Sequence, residues 1–91
     1  MTVVNHEAQH RFEVNEDGKI AFLKYGQRAG EIVVIHTEVP HELEGRGIGG
    51  KLAKAALDYA RAQNLKVTAL CPFVADYIKR HPEYSDLLRE S

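Results

Sequence analysis

The sequence predicts an α/β fold of the mixed α+β kind, with a mostly antiparallel mixed sheet leading into a β-α-β-α C-terminal half. Three observations predict it. Short apolar stretches before residue 40 are separated by tight-turn signals. An alanine-rich stretch from Gly47 to Gln63 repeats its apolar residues at helical spacing. A further apolar run, Leu65 to Leu70, returns directly after that stretch.

The elements follow in order. His10 to Val14 alternates, with Phe12 and Val14 on one face, and Ile20 to Tyr25 continues as a strand after Asn15 to Lys19, where Asp17-Gly18 reads as a hairpin turn. Gly26 to Gly30 reads as a second turn. It leads into Glu31 to Val39, whose Ile32, Val33, Val34 and Ile35 predict a strand buried on both faces. Thr2 to Asn5 could add an edge strand. From Gly47 to Gln63, Ile48, Leu52, Ala55, Ala56 and Tyr59 share one helical face, while Lys51, Lys54, Asp58 and Arg61 share the other. Asn64 is a suitable C-terminal stop. A strand, a helix and a parallel strand of these lengths make a right-handed crossover. Pro72 suits the first position of the next helix, which makes Cys71 its N-cap. That helix should end near His81, because Pro82 disfavours helical backbone in its predecessor. Ser85 then predicts a cap for a short last turn carrying Leu87 and Leu88.

At 91 residues, with 44% hydrophobic and 27% charged residues, the chain reads as one ordered domain spanning residues 1–91. A formal net charge of −1 supplies no field that favours nucleic acid or acidic membranes. Cys71 is the single cysteine and has no intramolecular disulfide partner. Met1 to His10 lacks a charged-then-apolar signal pattern, and no long apolar run follows; a cytoplasmic location is the expectation.

The most informative motif is Glu44-Gly45-Arg46-Gly47-Ile48-Gly49-Gly50-Lys51, between a β-branched stretch and the amphipathic helix. Glycine lets backbone N–H groups approach and turn toward one anion, and a helix starting at the loop adds unpaired donors and the positive end of its dipole. Arg46 and Lys51 are within reach to neutralise charge. Gly45, Gly47 and Gly50 fit the dinucleotide fingerprint G-x-G-x-x-G, but that motif belongs after the first strand of a βαβ unit, and Leu65 to Leu70 lacks the acidic residue that grips a ribose. Gly45 to Lys51 fits G-x-x-x-x-G-K, yet Leu52 stands where a P-loop places the Ser or Thr that holds magnesium.

The stretch resembles a third pattern, the R/Q-x-x-G-x-G/A pyrophosphate loop of the GNAT acetyltransferases, aligned on Gly47 and Gly49. Glu44 then occupies the first position, a departure, since an acidic side chain adds no positive charge. His36-Thr37-Glu38-Val39-Pro40, Cys71-Pro72-Phe73-Val74 and His81-Pro82-Glu83-Tyr84 extend the resemblance to very small single-domain GNAT-like proteins with a Cys-Pro motif, over roughly Ile20 to Leu88.

The resemblance implies an acetyl-CoA-dependent N-acetyltransferase, with no metal. The backbone of Glu38 and Val39 would receive the pantetheine arm, with Pro40 ending sheet pairing. The pyrophosphate would rest on the amides of Arg46, Gly47, Ile48, Gly49 and Gly50, beside Lys51. Cys71 is the candidate for chemistry, because a helix N-terminus lowers a thiol pKa, and the resemblance puts such a cysteine near the thioester; a small core residue is the other reading. His36, Glu38 and His41 are candidate bases, with surface or hydrogen-bonded roles equally open to the histidines. Tyr77 is the candidate acid, although it is displaced by one residue from the usual tyrosine position, a rotation of roughly 100° about the helix; packing is its alternative. Ordinary GNAT enzymes place helices between their first two strands, and only Asn15 to Lys19 intervenes here. The acceptor, an unidentified amine that could sit on a protein, would meet an open groove. A module that binds CoA or acyl-CoA without catalysis, sensing cofactor or docking a partner, is the rival reading.

Overall fold

The computed structural model describes residues 2–89. Five strands lie in the order of the chain: β1 (Val4–His6), β2 (Arg11–Glu16), β3 (Lys19–Arg28), β4 (Glu31–Glu38) and β5 (Lys66–Ala69). The first four pair antiparallel and β5 pairs parallel to β4. Two α-helices, α1 (Ile48–Ala62) and α2 (Pro72–Arg80), follow β4 and β5, and 3₁₀ turns occupy Glu7–Gln9, His41–Leu43 and Pro82–Leu87. This is the mixed, mostly antiparallel α+β architecture that the sequence predicts.

The first hairpin is built on Asp17-Gly18, both at positive φ (54° and 77°), the geometry of a two-residue turn whose twist matches the flanking strands. The second hairpin is tighter than the sequence indicates. Gly26 is no turn residue: it pairs with Val33 inside β3, and only Ala29 and Gly30 lie between Arg28 and Glu31. The edge strand forms at Val4–His6 rather than from Thr2 to Asn5.

Phe12, Val14, Ala21, Leu23, Tyr25, Ile32, Val34 and Val67 form the buried face of the sheet. Against it pack Leu52, Ala53, Ala56, Leu57 and Ala60 of α1 and Val74, Tyr77 and Ile78 of α2. Alanine at three of these α1 positions removes side-chain bulk, which brings the helix axis close to the strands. The other face is uncovered. The prediction that β4 is buried on both faces therefore fails: Val33 is half-buried and Ile35 is exposed. Among the described residues no helix lies over that side to take them up.

Ile35 marks a β-bulge. Lys24 pairs with His36 and the next residue, Tyr25, pairs with Val34, so Ile35 has no partner on β3. An extra residue reverses the alternation beyond it. Thr37, opposite buried Leu23, consequently faces the helices, whereas His36 and Glu38, opposite Lys24 and Phe22, face the uncovered side.

α1 ends as the sequence predicts. Asn64 adopts left-handed φ (60°), Leu65 N donates to Ala60 O (2.8 Å) and Asn64 N donates to Arg61 O (3.2 Å), the paired bonds of a Schellman stop. Pro72 opens α2 with Cys71 at its N-cap, and His81 closes it. Ser85 does not cap a new turn. It lies inside the 3₁₀ segment, where its Oγ donates to Pro82 O (2.8 Å), and the N-cap of that segment is His81.

Candidate active site

β4 outruns its parallel partner. Pairing with β5 ends at Val34 and Ala69, and Leu70 N and Cys71 N both donate to Val34 O (3.0 and 3.2 Å) at the bulge. From His36 to Glu38, β4 keeps β3 on one edge and has no β5 partner on the other. Apart from the Thr37 amide, which faces the Cys71 sulfur, the backbone groups on that edge have no strand partner and can meet a ligand.

Beyond β4, Pro40 starts a 3₁₀ turn in which Leu43 N donates to Pro40 O (2.9 Å) and Glu44 N to His41 O (3.2 Å). Leu43 and Ile48 are both buried. The glycine-rich loop between them is thus anchored in the core at each end, which fixes a segment too polar and too glycine-rich to hold itself. Gly47 is the N-cap of α1 at φ 72°, and a Cβ built on it meets nothing within 4 Å. A side chain there would project into free space over the loop.

Among the described residues, none of the amides from Gly45 to Gly50 donates to a protein acceptor; the first bond of the helix runs from Lys51 N to Gly47 O (3.1 Å). These donors border a cleft of about 440 Å³ lined by Thr37, Val39, Leu43, Glu44, Gly45, Gly47, Ile48, Gly49, Gly50 and Phe73. Orphaned amides at the positive end of a helix suit a phosphate or diphosphate. A smaller hollow of about 150 Å³ at Arg61, Lys66 and Asp86 is occupied by the protein's own ion pairing, with Arg61 forked on Asp86 at 3.0 Å.

Phe73 and Thr37 enter the site without having been singled out by the sequence. The Phe73 ring rests on Gly49 so closely that a Cβ there would lie 2.8 Å from its Cζ. Both stood inside quoted motifs, Phe73 in Cys71-Pro72-Phe73-Val74 and Thr37 in His36-Thr37-Glu38-Val39-Pro40, but nothing in the sequence marked the bulge that brings Thr37 to this side.

Cys71 is buried, and its thiol lies 3.6 Å from Thr37 Oγ1. Burial pushes that thiol up. The Val74 amide, the Thr37 hydroxyl and the amides of Phe73 and Thr37 together outweigh burial and leave it below the ordinary thiol value. The α2 amides face the sulfur without closing a full capping hydrogen bond.

The other candidates are not gathered there. His36 and Glu38 pair with each other along β4 on the uncovered face (3.4 Å), where His36 meets the Phe22 ring edge-on. His41 is almost fully exposed and contacts Glu44 (3.1 Å). Tyr77 is buried between helices, stacked on His81 at 4.0 Å, and burial raises its hydroxyl pKa. Val39, Gly47, Ile48, Gly49 and Gly50 line the cleft, Arg46 reaches Asp17 (3.7 Å), and Lys51 is exposed on the first turn of α1.

Residues 11–87 match the family model for the GCN5-related N-acetyltransferases. The chain belongs to that family. Within the GCN5-related N-acetyltransferases it is 41% identical to Protein NATD1 of Mus musculus over 83 residues, covering 87% of this chain and 76% of the mouse protein. It is 40% identical to Protein NATD1 of Homo sapiens, covering 87% of this chain and 74% of the human one. Its fold matches the solution structure of a GCN5-like protein from Staphylococcus aureus with a TM-score of 0.76 and 31% identity, over 99% of this chain and 89% of that one. The splayed β4 edge and the loop at the start of α1 are therefore read within an acetyltransferase scaffold.

Proposed function

We propose that the protein transfers acetyl from acetyl-CoA to an amine, with Cys71 beside the thioester. The observation that carries this reading is the row of unengaged amides from Gly45 to Gly50 at one end of a cleft whose other wall contains Thr37, the contact of Cys71. In this reading the amides take the diphosphate, the free edge of β4 around Glu38 and Val39 takes the pantetheine arm, and Arg46 and Lys51 balance charge. The donor supplies an acetyl group already activated as a thioester. Cys71, ionised, attacks the acetyl carbon; its new C–S bond replaces that of CoA, whose thiolate leaves and takes up a proton. An amine then displaces Cys71, forming the amide and releasing one proton. The free β4 edge and the uncovered sheet face leave room for an amine presented on a macromolecule.

A second reading, a CoA-binding module without turnover, is favoured by one observation. His36 and Glu38 project from the face of β4 opposite Thr37, which leaves Cys71 without either of these bases in contact.

The test is titration calorimetry with acetyl-CoA, followed by intact-protein mass spectrometry. Binding with an acetyl adduct on Cys71 supports transfer, and binding without adduct or turnover on amine and peptide panels supports the module. No heat at millimolar donor removes both.

A further inference from the structure

We propose that Thr37 is a positioning residue for Cys71: turned toward the helices by the bulge at Ile35, its hydroxyl holds the buried thiol directly behind the cleft wall. The inference rests on the reading of Cys71 as the group beside the thioester.

The geometry is specific to this register. Leu23, directly across from Thr37 on β3, is fully buried, which fixes the side of the sheet that Thr37 faces. Its Oγ1 lies 3.6 Å from the sulfur, and Thr37 stands in the cleft wall while Cys71 is buried beside it. A hydroxyl both accepts and donates. It accepts from the neutral S–H and, after ionisation, rotates its proton to donate to the thiolate. The second bond is charge-assisted and the stronger of the two, so the same contact stabilises the charged form more. β-branching restricts χ1 and keeps the hydroxyl aimed. A valine has almost the same shape and lacks only this exchange.

Among the described residues, the groups that act on the sulfur are neutral. From α2 the sulfur meets the neutral amides of Phe73 and Val74, and from β4 it meets the hydroxyl and amide of Thr37. The titratable neighbours of Thr37 in the chain, His36 and Glu38, face the uncovered side and pair with each other. Tyr77, on the same helix as Phe73, stacks on His81.

The experiment is an ultraviolet titration of the thiolate in the wild-type chain, Thr37→Val and Thr37→Ser, with Cys71→Ala as the blank. The valine variant is expected to titrate about one pH unit higher and to alkylate about tenfold more slowly at neutral pH, with serine close to wild type. Should valine fail to pack, Thr37→Ala removes the same hydroxyl and is read in the same way. An unchanged midpoint in folded Thr37→Val or Thr37→Ala overturns the proposal. Acetyl-CoA takes no part in this titration, so failure of the donor to bind would sink the proposed function and leave the Thr37 result standing.

Discussion

Two residues bear most directly on the site. Gly47 combines left-handed φ with open space where a side chain would begin. Gly47→Val places a β-branched residue in a conformation that costs of order 1–3 kcal/mol and fills the mouth of the loop. Its affinity for acetyl-CoA by calorimetry is expected to fall at least about tenfold, close to 1.4 kcal/mol, while circular dichroism retains the folded spectrum; undiminished affinity would refute the loop contacts. Cys71→Ala is expected to abolish the acetyl adduct in intact-mass spectra while changing CoA affinity by less than about twofold, because a nucleophile acts on the reacting bond and the loop on the ground state. Retention of the adduct would place it on another residue. The character of Cys71 as an N-cap thiol was legible from Cys71-Pro72 alone, since Pro at the first helical position fixes where the helix begins. Its dependence on Thr37 was not. Ile32, Val34, His36 and Glu38 keep unbroken even spacing in the sequence, and apolar Ile35 reads as core; the inserted residue leaves no local mark.

At the scale of elements, local signals were the reliable ones. Asp17-Gly18 and Asn64 each act over a few neighbouring residues and are found where the sequence places them; the helix of α1 is too, but its buried face is turned, with Ala53, Leu57 and Ala60 buried and Ala55 and Tyr59 only half-buried. Gly26 misled because glycine signals a turn and equally tolerates a strand. Here its missing side chain faces Ile35, whose Cδ1 would lie 3.9 Å from a Cβ, beside the bulge. Ser85 misled because the 3₁₀ segment starts earlier, at Pro82. The α1 stop gives a direct test. Asn64→Ala forces an ordinary L residue to φ 60° and is expected to cost about 1 kcal/mol, lowering Tm by roughly 4–8 °C. Asn64→Gly should keep or raise Tm, and a stable alanine variant would mean that the helix ends without need of the left-handed residue.

The molecule as a whole is tied across its uncovered side by Glu31. This carboxylate is only 3% exposed, accepts from Thr68 Oγ1 and from Arg28 Nε (2.7 Å), and lies 3.7 Å from Arg89, so it joins the second hairpin, β5 and the C-terminal segment. The Thr68 hydroxyl first, and then Arg28, hold its pKa below the usual carboxylate range against the effect of burial. A carboxyl with a folded-state pKa below its unfolded value stabilises the fold above that unfolded value, about 4.3 for Glu. The contribution disappears as pH falls through the lower, folded value. Urea titrations at descending pH should therefore show stability dropping below about pH 4, and Glu31→Gln should be less stable at neutral pH with a flatter acid limb; parallel profiles would exclude Glu31 as a source. The bulge also carries a lesson about tolerance. Because Ile35 sets the phase of the strand after it, deleting that one residue would turn Thr37 outward and drive the His36 imidazole and the Glu38 carboxylate into the apolar interior. Substitution at this position is therefore mild, but a change of length inverts everything downstream up to Pro40, much as a shifted reading frame garbles a message whose letters are all still present.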